Sequence, residues 1–192
     1  MRIYLDCIPC FVRQSLNAAR HATDDEKIHE QVVRGIMELG KDLDMTQSPP
    51  AIGQQIHRLV RRLVGIDDPY YGVKKRFNNA ALQLYPKMRH LIIESEDRLE
   101  TAVRLAIAGN IIDFGVKSEL TEAELDETVE QCLCGKLQKD QLKAFREAVD
   151  AAESILYLAD NAGEIIFDRL LIEQLPIEKI TVAVKGSPVI ND

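Results

Sequence analysis

The sequence lacks several features that would assign it directly to a class of protein. No apolar stretch approaches the roughly 20 residues that a membrane-spanning helix needs, and the segment from Met1 to Asp6 lacks the long apolar core of a signal peptide. Basic residues do not predominate, because 24 Lys and Arg stand against 31 Asp and Glu, a net charge of -7. That charge disfavours nucleic-acid backbones and anionic membranes, although it leaves room for a local basic pocket. We therefore expect a cytoplasmic protein that binds neither membranes nor nucleic-acid polymers.

Cysteine and histidine are also scarce. The four cysteines form two close pairs, Cys7-x-x-Cys10 and Cys132-x-Cys134. In a reducing cytosol such pairs indicate metal or redox chemistry more than a structural disulfide. A joint four-sulfur zinc site, a redox pair and plain buried thiols all remain open; we expect Cys7 and Cys10 at the start of the first helix, as ligands or redox-sensitive thiols. No ligand spacing is found among the four histidines, which are His21, His29, His57 and His90.

What the sequence does contain is a long helical part followed by a short strand–helix–strand part. Hydrophobic residues make up 46% and charged residues 29% of the chain, as in folded globular proteins. Periodic apolar positions and start and stop signals predict helices through most of residues 1–150. The predicted boundaries include a capping box at Thr23–Glu26, a helix from Asp68-Pro69 through Leu84, a glycine cap at Gly109 and a capping box at Thr121 and Glu124.

From residue 151 to 192 the pattern changes to a buried strand at Ile155–Ala159, a helix from Glu164 to Gln174 and a second strand at Ile180–Val184. The fold class is therefore α+β to α/β, a helical N-terminal region followed by the start of a parallel α/β/α sheet domain that is incomplete at its C-terminus. Two parallel strands do not make a doubly wound sheet. We expect these 192 residues to be the front part of a longer α/β protein; the alternative is a minimal sheet completed by an oligomer partner.

The strongest candidate site follows the first strand. Asp160 and Asn161 lie at its carboxyl end, where open α/β sheets bind ligands, and their oxygens suit a Mg²⁺- or Mn²⁺-type ion. Lys185 follows the second strand, so a right-handed parallel crossover brings it to the same edge, where it can meet a phosphate. Asp192 can reach back as a third oxygen ligand. The alternative is an N-cap, since Asp or Asn before a helix satisfies free N–H groups, with Glu164 suited to the helix dipole.

Two weaker candidates come from the helical part. Asn110 and Asp113, after Gly109, either approach a substrate or metal or belong to an ordinary turn. Lys75 and Asn79 share a helix face with Tyr71, which is either a solvated face or one aimed at a phosphorylated substrate.

Taken in order, these motifs resemble those of a known family, the metal-dependent damage-control phosphatases, long catalogued as a domain of unknown function. The resemblance is to the archaeal branch with an N-terminal Cys-x-x-Cys, and it covers essentially the whole chain. The motifs that carry it are Asp6-Cys7-Ile8-Pro9-Cys10, Asp68-Pro69-Tyr70, Gly109-Asn110-Ile111-Ile112-Asp113-Phe114, Asp160-Asn161-Ala162-Gly163-Glu164, Lys185-Gly186-Ser187-Pro188 and Asn191-Asp192.

The resemblance implies a metal-dependent phosphomonoesterase acting on sugar phosphates or on damaged nucleotides and cofactors. It implies metal ligation by Asp160, Asn161 and Asp192. It also implies a phosphate pocket bordered by Lys185 and by the Asn110/Asp113 motif, to which we add Gly163 and Glu164 at the helix start. The ion would be Mg²⁺, Mn²⁺, Co²⁺ or Ni²⁺. Family members continue past the third ligand, so the chain alone would lack part of the pocket. The alternative function is a non-catalytic metal- or nucleotide-binding regulatory module.

Overall fold

A computed structural model of the chain describes residues 2–112 and 122–187. The helices are α1 (Cys7–Ala22), α2 (Glu26–Lys41), α3 (Pro49–Val64), α4 (Tyr71–Glu94), α5 (Arg98–Ile111), α6 (Glu122–Cys134), α7 (Lys139–Ala151) and α8 (Glu164–Ile172). The strands are β1 (Ile155–Leu158) and β2 (Ile180–Ala183), and a short 3-10 turn, Ile177–Lys179, precedes β2. The described residues are thus mostly helical with a small parallel sheet, which confirms the α+β class. None of the described helices is both long and apolar enough to cross a membrane.

The chain forms two compact units that divide between Val73 and Lys74. The first contains α1, α2 and α3, which pack on one another around apolar side chains. The core of this unit includes Phe11, Ala18, Ala19, Val32, Ile36, Ile52, Ile56 and Val60. The second contains most of α4 and the elements after it, with α5 packed against both α6 and α8. The predicted division into 1–150 and 151–192 separates a helical part of the chain from a part with both strands and helices. Whether it is also a domain boundary stays a prediction.

Helix ends in the first unit follow local capping chemistry, with one correction. α3 begins with Pro49 after Ser48 and ends at Gly65, whose φ of 75° is the left-handed conformation that glycine adopts without strain. The capping box predicted at Thr23–Glu26 is wrong. The N-cap of α2 is Asp25, whose side chain accepts from the Lys27 N–H at 2.9 Å, while Thr23 accepts from the Asp25 N–H. A closer acceptor therefore replaces the predicted one.

Two helices in the second unit run further than predicted. α4 continues past Leu84 and through Pro86 to Glu94. Proline inside a helix removes one hydrogen bond, and tertiary packing of Met88 and Ile92, both buried, offsets that loss. α5 continues through Gly109 to Ile111, so Gly109 is not a cap. A Cβ at Gly109 would lie 2.6 Å from the Cβ of Phe167 in α8, and the glycine therefore permits the close approach of the two helices.

The sheet pairs β1 with β2 in parallel, from Ile155 opposite Ile180 to Leu158 opposite Ala183. The prediction of two parallel neighbours joined by a helix is confirmed. The prediction of a buried first strand is wrong, because burial along β1 alternates and Leu156 and Leu158 are exposed. Ile155 and Tyr157 alternate with these exposed residues and are partly covered. Tyr157 faces α8, where its hydroxyl donates to Asp168.

Candidate functional site

Asp160 and Lys185 meet beyond the carboxyl ends of the two strands. Asp160 lies two residues after β1, and Lys185 lies two residues after β2. The Lys185 Nζ donates to the Asp160 Oδ1 at 2.8 Å. Both side chains are about half exposed, at 45% and 56%, so the ion pair is open to solvent. The parallel pairing of the strands thus brings together a carboxylate and an ammonium that are 25 residues apart.

Asp160 does not cap the helix that follows it. The N-cap of α8 is Gly163, which has no side chain to accept a hydrogen bond. The Asp160 carboxylate instead engages Lys185 through Oδ1 and the Asn161 Nδ2 through Oδ2, the latter at 3.3 Å. The alternative explanation of Asp160 as an N-cap is therefore wrong, because its oxygens are directed at side chains rather than at the helix N–H groups.

Gly163 makes the turn between the site and α8. Its φ of 83° lies in the region that side-chain-bearing residues rarely adopt. Its N–H donates to the Oδ1 of Asn78 in α4 at 2.7 Å. This N–H is therefore engaged within the protein in this conformation, and Gly163 contributes the geometry of the turn.

Glu164 joins Asn110 and Asn161. Asn110 lies in the last turn of α5, and its Nδ2 donates to the Glu164 Oε1 at 2.9 Å. The Nδ2 of Asn161 donates to the Glu164 Oε2 at 2.8 Å. Glu164 is buried, at 9% exposure, and is the first residue of α8, where the helix dipole favours a carboxylate. Three residues predicted for the site thus form one hydrogen-bonded group.

A buried carboxyl lies one helical turn further along α8. Asp168 is 5% exposed and accepts from the Tyr157 hydroxyl at 2.6 Å. The pKa of Asp168 is raised to about 6: burial is the largest cause, the hydrogen bond from the Tyr157 hydroxyl opposes it, and the charges of Glu164 and Asp160 add to it. Burial is also the largest cause that raises the pKa of Tyr157, followed by the hydrogen bond to Asp168. Asp168 therefore keeps its proton to a higher pH than an exposed aspartate does, beside the group formed by Asn110, Asn161 and Glu164.

Sequence reasoning missed Asn78 and Asp168. Lys75 and Asn79, which it singled out, lie on the exposed side of α4, whereas their neighbour Asn78 is half-buried and contacts Gly163. The signal for Asp168 was available, because Glu164 and Asp168 are four residues apart and share a helix face. Nothing local in the sequence marks Asn78, whose partner is 85 residues away.

The donor set at this site suits a hard divalent cation. Asp160 supplies carboxylate oxygens and already forms an ion pair with the Lys185 ammonium. Asn161 supplies an amide oxygen, and such oxygens are ligands of Mg²⁺ and Mn²⁺. Asp192, the third predicted ligand, and Asp113 lie outside the described residues. Across 2–112 and 122–187 no three His, Cys, Asp or Glu side chains are arranged to hold a metal ion, so the predicted ligand set stays a prediction.

The cysteines are all free thiols. Cys7 is the first residue of α1 and Cys10 lies in its first turn, as the sequence predicted. Cys132 and Cys134 lie in the last turn of α6. Burial raises the pKa of Cys132, and the guanidinium of Arg104 lowers it. Arg104 also donates to the carbonyl oxygens of Cys132 and Gly135, which fixes the end of α6.

Comparison with known proteins identifies the family. Residues 3–192 match the model of the damage-control phosphatase ARMT1-like domain. An uncharacterised protein of Methanocaldococcus jannaschii is 36% identical over the whole chain, a damage-control phosphatase of Archaeoglobus fulgidus is 32% identical and another of Pyrococcus horikoshii is 33% identical. A crystal structure of a DUF89-family protein from Pyrococcus horikoshii superposes with a TM-score of 0.84 at 32% identity.

All these matches extend over 100% of this chain. The chain in turn spans 65% of the Methanocaldococcus protein and 67% of each of the others. The family resemblance seen in the ordered motifs is thereby confirmed from sequence and from fold. On both grounds, the chain belongs to the ARMT1-like damage-control phosphatase domain family.

Proposed function

We propose that this protein is a metal-dependent phosphatase that hydrolyses small phosphate monoesters, such as sugar phosphates or damaged nucleotides and cofactors. Family membership supports phosphatase chemistry, and two of its relatives are named damage-control phosphatases. The observation that carries the proposal is the pairing of Asp160 with Lys185 beyond the ends of two parallel strands. Open α/β sheets bind their ligands at such an edge.

Asp160 and Lys185 would have different roles in the reaction, one in holding the metal ion and the other in binding the phosphoryl group. Asp160 and Asn161, with Asp192, would hold a divalent ion through oxygen atoms. When bound, the ion supplies Lewis acidity toward a phosphoryl oxygen and favours deprotonation of an attacking water. Lys185 would bind the phosphoryl oxygens as a point charge and stabilise the negative charge that they carry during transfer.

Water is the nucleophile that this chain's residues favour. The sequence contains one Asp-x-Asp, Asp42-Leu43-Asp44, and one Cys-x5-Arg, Cys7 to Arg13, both in the first unit. Cys7 and Arg13 both lie within helix α1, so the residues between them form no loop around an anion. Asp44 accepts from the N–H and the hydroxyl of Thr46 in a local turn. Neither motif is arranged as the nucleophile of a phosphoenzyme.

The test is a screen of the full-length protein against phosphate esters with Mg²⁺, Mn²⁺, Co²⁺ and Ni²⁺ in turn, with phosphate release as the readout. We expect turnover that a chelator abolishes and that an excess of one ion restores. Binding of ions and nucleotides without phosphate release would support the alternative, a regulatory module. A phospho-aspartate trapped during turnover would contradict attack by water.

Lys185 can be tested against a matched lysine. Lys185→Met should lower kcat/KM by about 100-fold, the usual effect of removing one donor to a developing oxyanion. Lys143→Met is the control, because Lys143 is exposed on α7 and forms a long ion pair with Glu147 at 3.8 Å. Equal activity of the two variants would remove Lys185 from the mechanism.

A further inference from the structure

Glu164 is fully engaged by two amides that come from different parts of the second unit. Each of its oxygens accepts from one asparagine, Oε1 from Asn110 at the end of α5 and Oε2 from Asn161 after β1. The side chain is buried, and no third partner is recorded for either oxygen among the described residues. Glu164 is therefore poorly placed to contact a substrate directly, and an anionic phosphate would in any case be repelled by its carboxylate.

The contact with the Glu164 carboxylate determines which atom of each asparagine amide is left to bind another group. An ionised carboxylate only accepts hydrogen bonds, so an asparagine that faces it must turn its NH₂ group toward it. In a planar amide the carbonyl oxygen then points to the other side. The second hydrogen of the Asn161 NH₂ group is directed at the Asp160 Oδ2, 3.3 Å away. Both donors of Asn161 are thus used by carboxylates, which leaves its Oδ1 as the amide atom that can bind a cation.

We propose that Glu164 is a positioning residue that holds the Asn161 amide with its oxygen toward the cation, and that Asn110 fixes Glu164 for that task. The inference rests on the proposed function, since it concerns the same metal site. A flipped Asn161 would present its NH₂ group, which repels a cation. Outer-sphere residues of this kind typically change metal affinity by about 10- to 100-fold when they are mutated.

Two substitutions separate positioning from simple charge. Glu164→Gln keeps the shape, but its Nε2 faces one of the two asparagine NH₂ groups and forces that amide to turn. Glu164→Asp keeps the charge, but its side chain is one methylene shorter and cannot reach both asparagines. Glu178→Gln is the control, because Glu178 is exposed in the turn before β2.

The measurement is Mn²⁺ affinity of the full-length protein by calorimetry, together with the side-chain amide NMR signals of Asn110 and Asn161 in the absence of metal. We expect Glu164→Gln and Glu164→Asp each to weaken Mn²⁺ binding by about 10- to 100-fold. Both should shift the two amide signals, while Glu178→Gln changes neither. Asn110→Ala should weaken binding in the same direction and by less, because Glu164 then loses one of its two anchors.

The possible outcomes are distinct. Normal Mn²⁺ affinity in Glu164→Asp would overturn positioning and leave only a charge effect. Normal affinity in both Glu164 variants would overturn the inference while leaving the proposed function intact. An unmodified protein that binds no divalent ion would overturn both. If a Glu164 variant does not fold, judged by its circular dichroism, unchanged Mn²⁺ affinity in Asn110→Ala would by itself contradict the proposal.

Discussion

At the scale of single residues, Asp160 is the side chain on which the proposed chemistry depends most. Asp160→Asn keeps the shape and removes one negative charge from the oxygen donors. Because hard cations depend on carboxylate charge, we expect a sharp loss of metal affinity and of metal-dependent phosphate release. The melting temperature without metal should barely change, since the exposed ion pair with Lys185 contributes only about 0–1 kcal/mol.

Asp150→Asn is the matched control for that experiment, because Asp150 is exposed near the end of α7. It should leave both the metal affinity and the melting temperature unchanged. Undiminished phosphate release by Asp160→Asn at limiting metal would remove Asp160 from the site. A large fall in its metal-free melting temperature would indicate a structural role for the carboxylate instead.

At the scale of secondary-structure elements, the contact between α5 and α8 depends on Gly109. A Cβ at this position would meet the Cβ and Cγ of Phe167 at 2.6 and 2.8 Å, and Phe167 is itself fully buried. Gly109→Ala should therefore destabilise the protein by about 1–3 kcal/mol, the usual cost of overpacking. Gly40→Ala in α2 is the control, because its Cβ would meet no atom of residues 2–112 or 122–187 within 4 Å. It should stabilise by about 0.5–1 kcal/mol, as alanine does in helices.

Chemical denaturation of the two alanine variants measures this difference. A Gly109→Ala protein as stable as the unmodified one would show that α5 and α8 can separate without cost. Since Asn110 follows Gly109 and bonds Glu164 in α8, such a separation would also alter the amide signals of Asn110.

The elements themselves were largely predictable, whereas their ends were predictable only where local signals decide them. The apolar periodicity of α3 and the signals at Ser48, Pro49 and Gly65 gave its bounds, because these signals act within a few residues. α4 runs past Pro86, since buried contacts outweigh a local helix breaker. Gly109 was interpreted as a cap because a glycine that permits close packing has the same local pattern as one that ends a helix.

For the candidate site the same distinction holds. The meeting of Asp160 with Lys185 followed from strand order and parallel pairing alone. The contact of Asn78 with Gly163 and the bond of Asn110 to Glu164 could not be foreseen, because each depends on the relative rotation of helices that are far apart in sequence. Asn78 and Asn79 are neighbours on α4, but they point in different directions around the helix. Asn79 is exposed, whereas Asn78 reaches the turn at Gly163.

At the scale of the whole molecule, two buried ionisable groups make stability depend on pH in opposite directions. Burial, aided by the charge of Arg61, lowers the pKa of His57 in the first unit to about 4. Stability from a neutral His57 is therefore present above its unfolded pKa and is lost as the pH falls toward 4. Asp168 has its pKa raised to about 6, so its contribution is present below pH 4 and is lost as the pH rises through 6.

Replacing each group should show how much that group contributes to the pH dependence of stability. We expect Asp168→Asn, which can still accept from Tyr157, to gain about 2–3 kcal/mol at pH 7 and almost nothing at pH 4. His57→Leu removes a buried Nε2 that has no hydrogen-bond partner among the described residues, and its gain in stability should grow as the pH falls from 7 to 5. Thermal unfolding between pH 4 and 7, with a chelator present, measures both. Differences that do not vary with pH would contradict the assigned protonation states.

The exposed side of β1 has a consequence for how the protein behaves at high concentration. Leu156 and Leu158 are 63% and 71% exposed and lie side by side on one face of the strand. Apolar surface of this kind is hidden from water most readily by contact with similar surface. Salts such as sulfate strengthen that tendency because they are excluded from protein surfaces. Light scattering should therefore rise with added ammonium sulfate while the circular dichroism of the helices stays unchanged, through association of sheet faces between separate molecules.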